Sequence, residues 1–124
     1  TVTSNKYLLI LLIILMLVVF GMFMETTVIT LICTPILVPL VQQYGIDPVH
    51  FGIIMMTVVT MGCSTPPVGV ALYTCSNIMS CSVEETTKYS IPYYVAIGLT
   101  LVVCIFIPQA VLFLPNFVYG GAGI

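Results

Sequence analysis

The stretch "MGCSTPPVGV", residues 61–70, lies inside a long apolar run yet is built from residues that interrupt a helix. Pro66 and Pro67 have no backbone N–H to donate, and Thr65, just before them, is pushed out of helical angles. A helix arriving from the N-terminal side therefore breaks here and leaves the carbonyls near Gly62, Cys63 and Ser64 without intrahelical donors. A second half-helix starts beyond, with the amides of Val68, Gly69 and Val70 at its positive end and Pro67 in its first turn, where a missing N–H costs nothing. Freed carbonyls together with the hydroxyls of Ser64 and Thr65 are hard oxygen donors suited to a small monovalent cation, while a half-helix N-terminus attracts an anionic group. The competing reading is a proline kink whose carbonyls are satisfied by neighbouring helices or by water.

The solvent around this break is set by composition. Of 124 residues, 60% are hydrophobic and 5% charged, and the mean hydropathy is +1.26, values that exclude a water-exposed globular surface and require lipid. Two lysines against four acids give a net charge of -2, so there is no basic patch for nucleic acid; the surroundings are membrane lipid and solutes that cross it. The chain starts at Thr1 without an initiator Met or a signal-peptide pattern and is expected to be the C-terminal piece of a longer polypeptide. Five cysteines, with no C-x-x-C pair and a single distant His50, read as small apolar packing residues rather than a metal or disulfide set.

Upstream of the break, Tyr7 to Met24 is uncharged for eighteen residues, about 27 Å of helix against a ~30 Å hydrocarbon core. The next apolar stretch, Val28 to Val41, has fourteen residues and contains Pro35 and Pro39; at about 21 Å it is too short for an ordinary span. Between them the polar "METTV" holds Glu25, Thr26 and Thr27 behind Gly21. If both arms span, this tip lies in water; if they form a re-entrant hairpin, it lies inside protein at membrane depth, where a carboxylate is a functional candidate.

In "QQYGIDPVH" (42–50), Gly45 suits the position after a helix end, Asp47 an N-cap and Pro48 the first helical turn, with His50 an interfacial first-turn residue rather than a ligand. Downstream, Ser82 and Glu85 form an S-x-x-E capping box, and a short surface helix is expected before Pro92 opens the last one. Glu84 and Glu85 are neighbours on different faces, so no paired-acid catalysis is expected, and the chain does not read as an enzyme. Tyr93 and Tyr94 suit an interfacial aromatic belt; Val95 to Leu114 is long enough to span, with a kink at Pro108.

Taken in order, "GMFMETT" (21–27), "TPILVPL" (34–40), "GIDPVHFGII" (45–54), "GCSTPPVG" (62–69), "SVEE" and "IPYY" resemble the C-terminal end of the large membrane subunit of tripartite ATP-independent periplasmic (TRAP) transporters. The likeness runs from about Lys6 to Gly120, and order and spacing carry it more than any single motif.

The resemblance implies an all-α integral membrane protein, part of an inverted-repeat, elevator-type sodium symporter in the bacterial inner (cytoplasmic) membrane, multi-pass, importing a small organic acid such as a dicarboxylate or sialic acid. Its implied partners are a periplasmic substrate-binding protein, the small TRAP membrane subunit and the remainder of the large subunit. The expected division is a re-entrant helical hairpin over 1–44 with its tip near 21–27, a discontinuous transmembrane helix over 45–78 broken at 62–69, a surface connector helix over 79–91, and a terminal transmembrane helix and tail over 92–124. One Na+ is expected between tip and break, held by oxygens of Gly62, Thr65 and Val68 with Gly21 or Glu25 from the tip, and Thr26 and Ser64 are the expected substrate contacts. The first inverted repeat is expected to lie outside this sequence, so that the piece alone does not transport. The rival class is a structural or assembly segment of a membrane complex, whose breaks serve only close packing.

Overall fold

The computed structural model describes residues 5–119, so the outermost parts of the expected hairpin (1–4) and of the expected tail (120–124) lie outside the described residues. Six helices follow one another: α1 Lys6–Phe23, α2 Thr26–Gln43, α3 Pro48–Cys63, α4 Val70–Met79, α5 Val83–Phe106 and α6 Pro108–Val118. There is no strand among the described residues.

Local chemistry sets most of the boundaries. Asp47 caps α3 by accepting from the amides of Val49 (2.8 Å) and His50 (3.3 Å), with Pro48 in the first turn and Gly45 at φ +70 just before it. The Ser82 hydroxyl caps α5 by accepting from the Glu85 amide at 3.2 Å, and Glu84 and Glu85 sit in that first turn against the positive end of the helix.

The core is built on α3. Along α1 the buried residues Ile10, Ile13, Leu17 and Gly21 fall three or four apart, one narrow stripe; along α2, Ile29, Cys33, Leu37 and Val41 do the same. On α3 they come in adjacent pairs, His50 and Phe51, Ile54 and Met55, Val58 and Val59, Gly62 and Cys63, so this helix has two buried faces and lies between α1 and α2. In lipid no hydrophobic effect drives helices together, so close packing and polar links must hold them. α5 runs along α3 and α4 with no fully buried residue of its own.

Three boundaries differ from expectation. The second half-helix, α4, starts only at Val70 with Gly69 as its N-cap, so Pro67 and Val68 lie in the break and not in its first turn. α2 has 18 residues and by length and composition can cross a membrane, as can α1 and α5; the fourteen-residue estimate omitted Thr26 and Thr27, which form its first turn, and Gln42 and Gln43, which form its last. The expected division at Pro92 between a surface connector and a terminal helix is replaced by one continuous α5 of 24 residues with Pro92 inside it. Here the polar residues do not end the helix because the hydroxyls of Thr86, Thr87 and Ser90 donate to the carbonyls of Ser82, Val83 and Thr86 at 3.0, 2.7 and 2.9 Å, staying satisfied within it. The discontinuity falls instead at Ile107, where α5 ends and Pro108 starts α6.

Candidate functional site

The α1–α2 turn is two residues, Met24 and Glu25, and it lies against the six-residue break Ser64–Gly69 between α3 and α4. The closest approach is backbone to backbone. A Cβ on Gly62 would lie 2.9 Å from Gly21 Cα, and one on Gly21 would lie 3.0 Å from both Gly62 Cα and the Val59 carbonyl oxygen. These two glycines thus form the crossing point of α1 and α3, and no larger residue fits either position without moving a backbone.

Beyond that crossing, hydrogen bonds join tip to break. The Gly69 amide donates to the Met22 carbonyl at 3.2 Å, linking the far end of the break to the last turn of α1. The Cys63 thiol donates to the Met24 carbonyl at 3.6 Å, and the Thr26 hydroxyl lies 3.1 Å from the same sulfur, where with the thiol proton already committed it acts as donor. Gly69 holds φ +47, a backbone conformation that favours glycine.

The break leaves some of its backbone acceptors open. The Met61 carbonyl takes the Ser64 amide (3.1 Å) and the Thr65 hydroxyl (2.7 Å), and the Gly62 carbonyl takes the Thr65 amide (3.0 Å). The Ser64 carbonyl accepts from the Tyr94 hydroxyl of α5. Cys63 would normally be paired with residue 67, a proline, and Thr65 with Gly69, whose amide has gone to Met22; no donor among the described residues reaches either carbonyl. Both oxygens lie beside Gly69, at 3.3 Å (Cys63) and 2.9 Å (Thr65) from where a Cβ would stand. At the tip, the Gly21 carbonyl is likewise without a donor among the described residues.

The expected site residues take unequal places. Gly21, Gly62, Thr65, Val68, Thr26 and Ser64 all lie at the tip or the break, and the cross-links bring these two segments together. Glu25 is exposed and caps α2: its carboxylate accepts from the Thr27 amide at 3.1 Å and the Thr27 hydroxyl at 3.0 Å. The Ser64 hydroxyl leans back to the Thr60 carbonyl at 3.4 Å, and Val68 is half-buried within the break. Three contributors escape a reading of the sequence: the Met22 carbonyl, the Cys63 thiol and the Tyr94 hydroxyl. Tyr94 had a signal, because adjacent residues on a helix point about 100° apart, so Tyr93 and Tyr94 cannot share one belt-facing side.

His50 also departs from expectation. It is only 7% exposed, and its Nε2 lies 2.5 Å from the Cys104 carbonyl of α5. Since a carbonyl only accepts, Nε2 carries the proton. Cys104 stands four residues before Pro108, so His50 supplies the donor that proline lacks.

Comparison with known proteins gives this arrangement a family. Residues 1–110 match the family described as tripartite ATP-independent periplasmic transporter, DctM component. The chain belongs to that family. Among TRAP relatives, it is 37% identical over 111 residues to the isethionate TRAP transporter permease protein DctMQ of Oleidesulfovibrio alaskensis, covering 90% of this chain and 18% of the relative. It is 36% identical over 120 residues to the sialic acid TRAP transporter large permease protein SiaM of Vibrio cholerae (97% and 28%). Against the C4-dicarboxylate TRAP transporter large permease protein DctM of Pseudomonas aeruginosa it is 37% identical over 100 residues (81% and 23%). The chain thus spans about a quarter of the length of these TRAP relatives, which are transporter permeases and not enzymes. No solved structure gives a significant match. Family and apolar helices together make this a bacterial integral membrane protein.

Proposed function

We propose that this chain is part of a TRAP transporter large membrane subunit that imports a small organic acid anion by coupling to sodium, and that tip and break together hold the ion and one side of the substrate. The observation that carries this reading is the pairing of the two segments around unpaired carbonyls: the tip is bonded to the break through Gly69 and Cys63, yet the Cys63, Thr65 and Gly21 carbonyls keep no donor among the described residues. Carbonyl oxygens at membrane depth replace the hydration shell of a monovalent cation, and unwound helix segments supply them in sodium-coupled carriers. The Thr65 hydroxyl, which donates to Met61, keeps lone pairs for the same purpose.

In this reading Gly62, Thr65 and Val68 present oxygens from the break and Gly21 presents one from the tip, while Glu25 acts at a distance by capping α2. Thr26 and Ser64 face the organic acid, beside the first amides of α4. Ordering of tip and break together raises the affinity for the anion, so that ion and substrate are coupled by differential binding. The α1–α2 pair is then a re-entrant hairpin of an elevator-type carrier in the inner membrane, working with the rest of the large subunit, the small membrane subunit and a periplasmic binding protein. The relatives named for isethionate, sialic acid and C4-dicarboxylates support an organic acid anion as the solute.

The test is substrate uptake by the intact parent transporter in proteoliposomes with its binding protein, comparing wild type with Thr65→Ala across a sodium titration. The expected result is a right-shifted sodium dependence with unchanged folding; unchanged uptake and sodium dependence would exclude the hydroxyl as a ligand. Packing without ion binding is favoured at one place only, the Gly21–Gly62 crossing, where the close backbone approach by itself accounts for both glycines.

A further inference from the structure

The Ser64–Thr65 peptide group is the first after α3, and it is held at both ends. Its N–H, that of Thr65, donates to the Gly62 carbonyl at 3.0 Å. Its C=O, that of Ser64, accepts from the hydroxyl of Tyr94, thirty residues away on α5. In a continuing helix that carbonyl would be paired by the Val68 amide, but the chain has left the helical path there. A peptide group is planar, so fixing its two polar ends fixes the plane, and with it the direction in which Thr65 leaves the helix. Tyr94 makes the one hydrogen bond between α5 and the break among the described residues, and it acts on backbone, so a change of the Ser64 side chain leaves the bond in place.

We infer that Tyr94 is a positioning residue for the break: by holding the Ser64 carbonyl it sets the orientation of Thr65 and of the open carbonyls on either side. Its effect on ion binding rests on the sodium reading above; its effect on the backbone does not.

The experiment uses the intact parent transporter with Tyr94→Phe, which keeps the ring and its packing and removes only the donor. Tyr93→Phe serves as control, since that side chain is 71% exposed and one position away. Two quantities are read: amide hydrogen exchange in the peptide spanning residues 62–72, and the sodium concentration for half-maximal uptake. Loss of a single neutral hydrogen bond predicts roughly fivefold faster exchange and a sodium half-saturation raised about fivefold. The melting temperature should fall by a few degrees at most, the substrate KM at saturating sodium should hold, and Tyr93→Phe should move nothing. Faster exchange with an unmoved sodium dependence would keep the positioning role and overturn the ion site. Exchange unchanged in Tyr94→Phe, or changed equally by Tyr93→Phe, would overturn the inference itself.

Discussion

Two of this chain's helices are broken at proline, and the breaks are repaired to different degrees. At the second, a single residue, Ile107, separates α5 from α6; the Val103 carbonyl takes the Ile107 amide at 2.8 Å, and the Cys104 carbonyl, orphaned by Pro108, takes the His50 ring. At the first, six residues separate α3 from α4, and among the described residues the one donor reaching in from another helix, Tyr94, serves only the Ser64 carbonyl, while those of Cys63 and Thr65 stay open. Proline alone does not make a site. On the proposed reading, what separates a structural break from an ion-binding one is whether the freed acceptors find donors within the protein.

That distinction can be broken by mutation. The largest effect is expected from Gly62→Ala, whose Cβ meets the Gly21 backbone at 2.9 Å; overpacking of about 1–3 kcal/mol should lower the melting temperature and yield of the intact transporter in detergent. His50→Ala should come next, leaving the Cys104 carbonyl unpaired at a cost of about 1–3 kcal/mol, read as thermal destabilisation with the sodium half-saturation unmoved. A sodium shift in that variant would erase the difference between the two breaks. Gly69→Ala should show both effects: a stability cost of about 1 kcal/mol of strain from its positive φ plus overpacking against the Thr65 oxygen at 2.9 Å, and beyond it a clear loss of sodium affinity, because the methyl would stand against the Thr65 and Cys63 oxygens. Smallest is Glu25→Gln, which keeps an acceptor for the Thr27 amide; an uptake change of less than about threefold is expected from a capping role, whereas abolished sodium dependence would make the carboxylate a direct ligand.

The first break was readable because Thr65-Pro66-Pro67 can hardly continue a helix, and Asp47-Pro48 and Ser82 mark starts by their own chemistry. Pro92 misled because a proline removes one hydrogen bond without ending a helix whose hydroxyls are satisfied internally. At the site, the motif residues were visible, but their partners were not. Whether Tyr94 or Tyr93 turns inward depends on the rotational phase of α5 against α3 and α4, and the use of His50 depends on a carbonyl 54 residues away. Glu25 stood out as an acid among apolar neighbours, but its use as the cap of α2, through the Thr27 amide and hydroxyl, is a local contact that hydropathy does not reveal.

The bond from the Gly69 amide to the Met22 carbonyl joins two backbones. Side-chain replacement at either position therefore leaves its atoms in place, and an alanine scan of tip and break would pass over it in silence. Deleting that donor takes a change in the main chain itself, either proline at residue 69, which also imposes a negative φ, or an amide-to-ester exchange there introduced by semisynthesis, so part of the communication between the two segments is written in atoms that ordinary side-chain replacement does not vary.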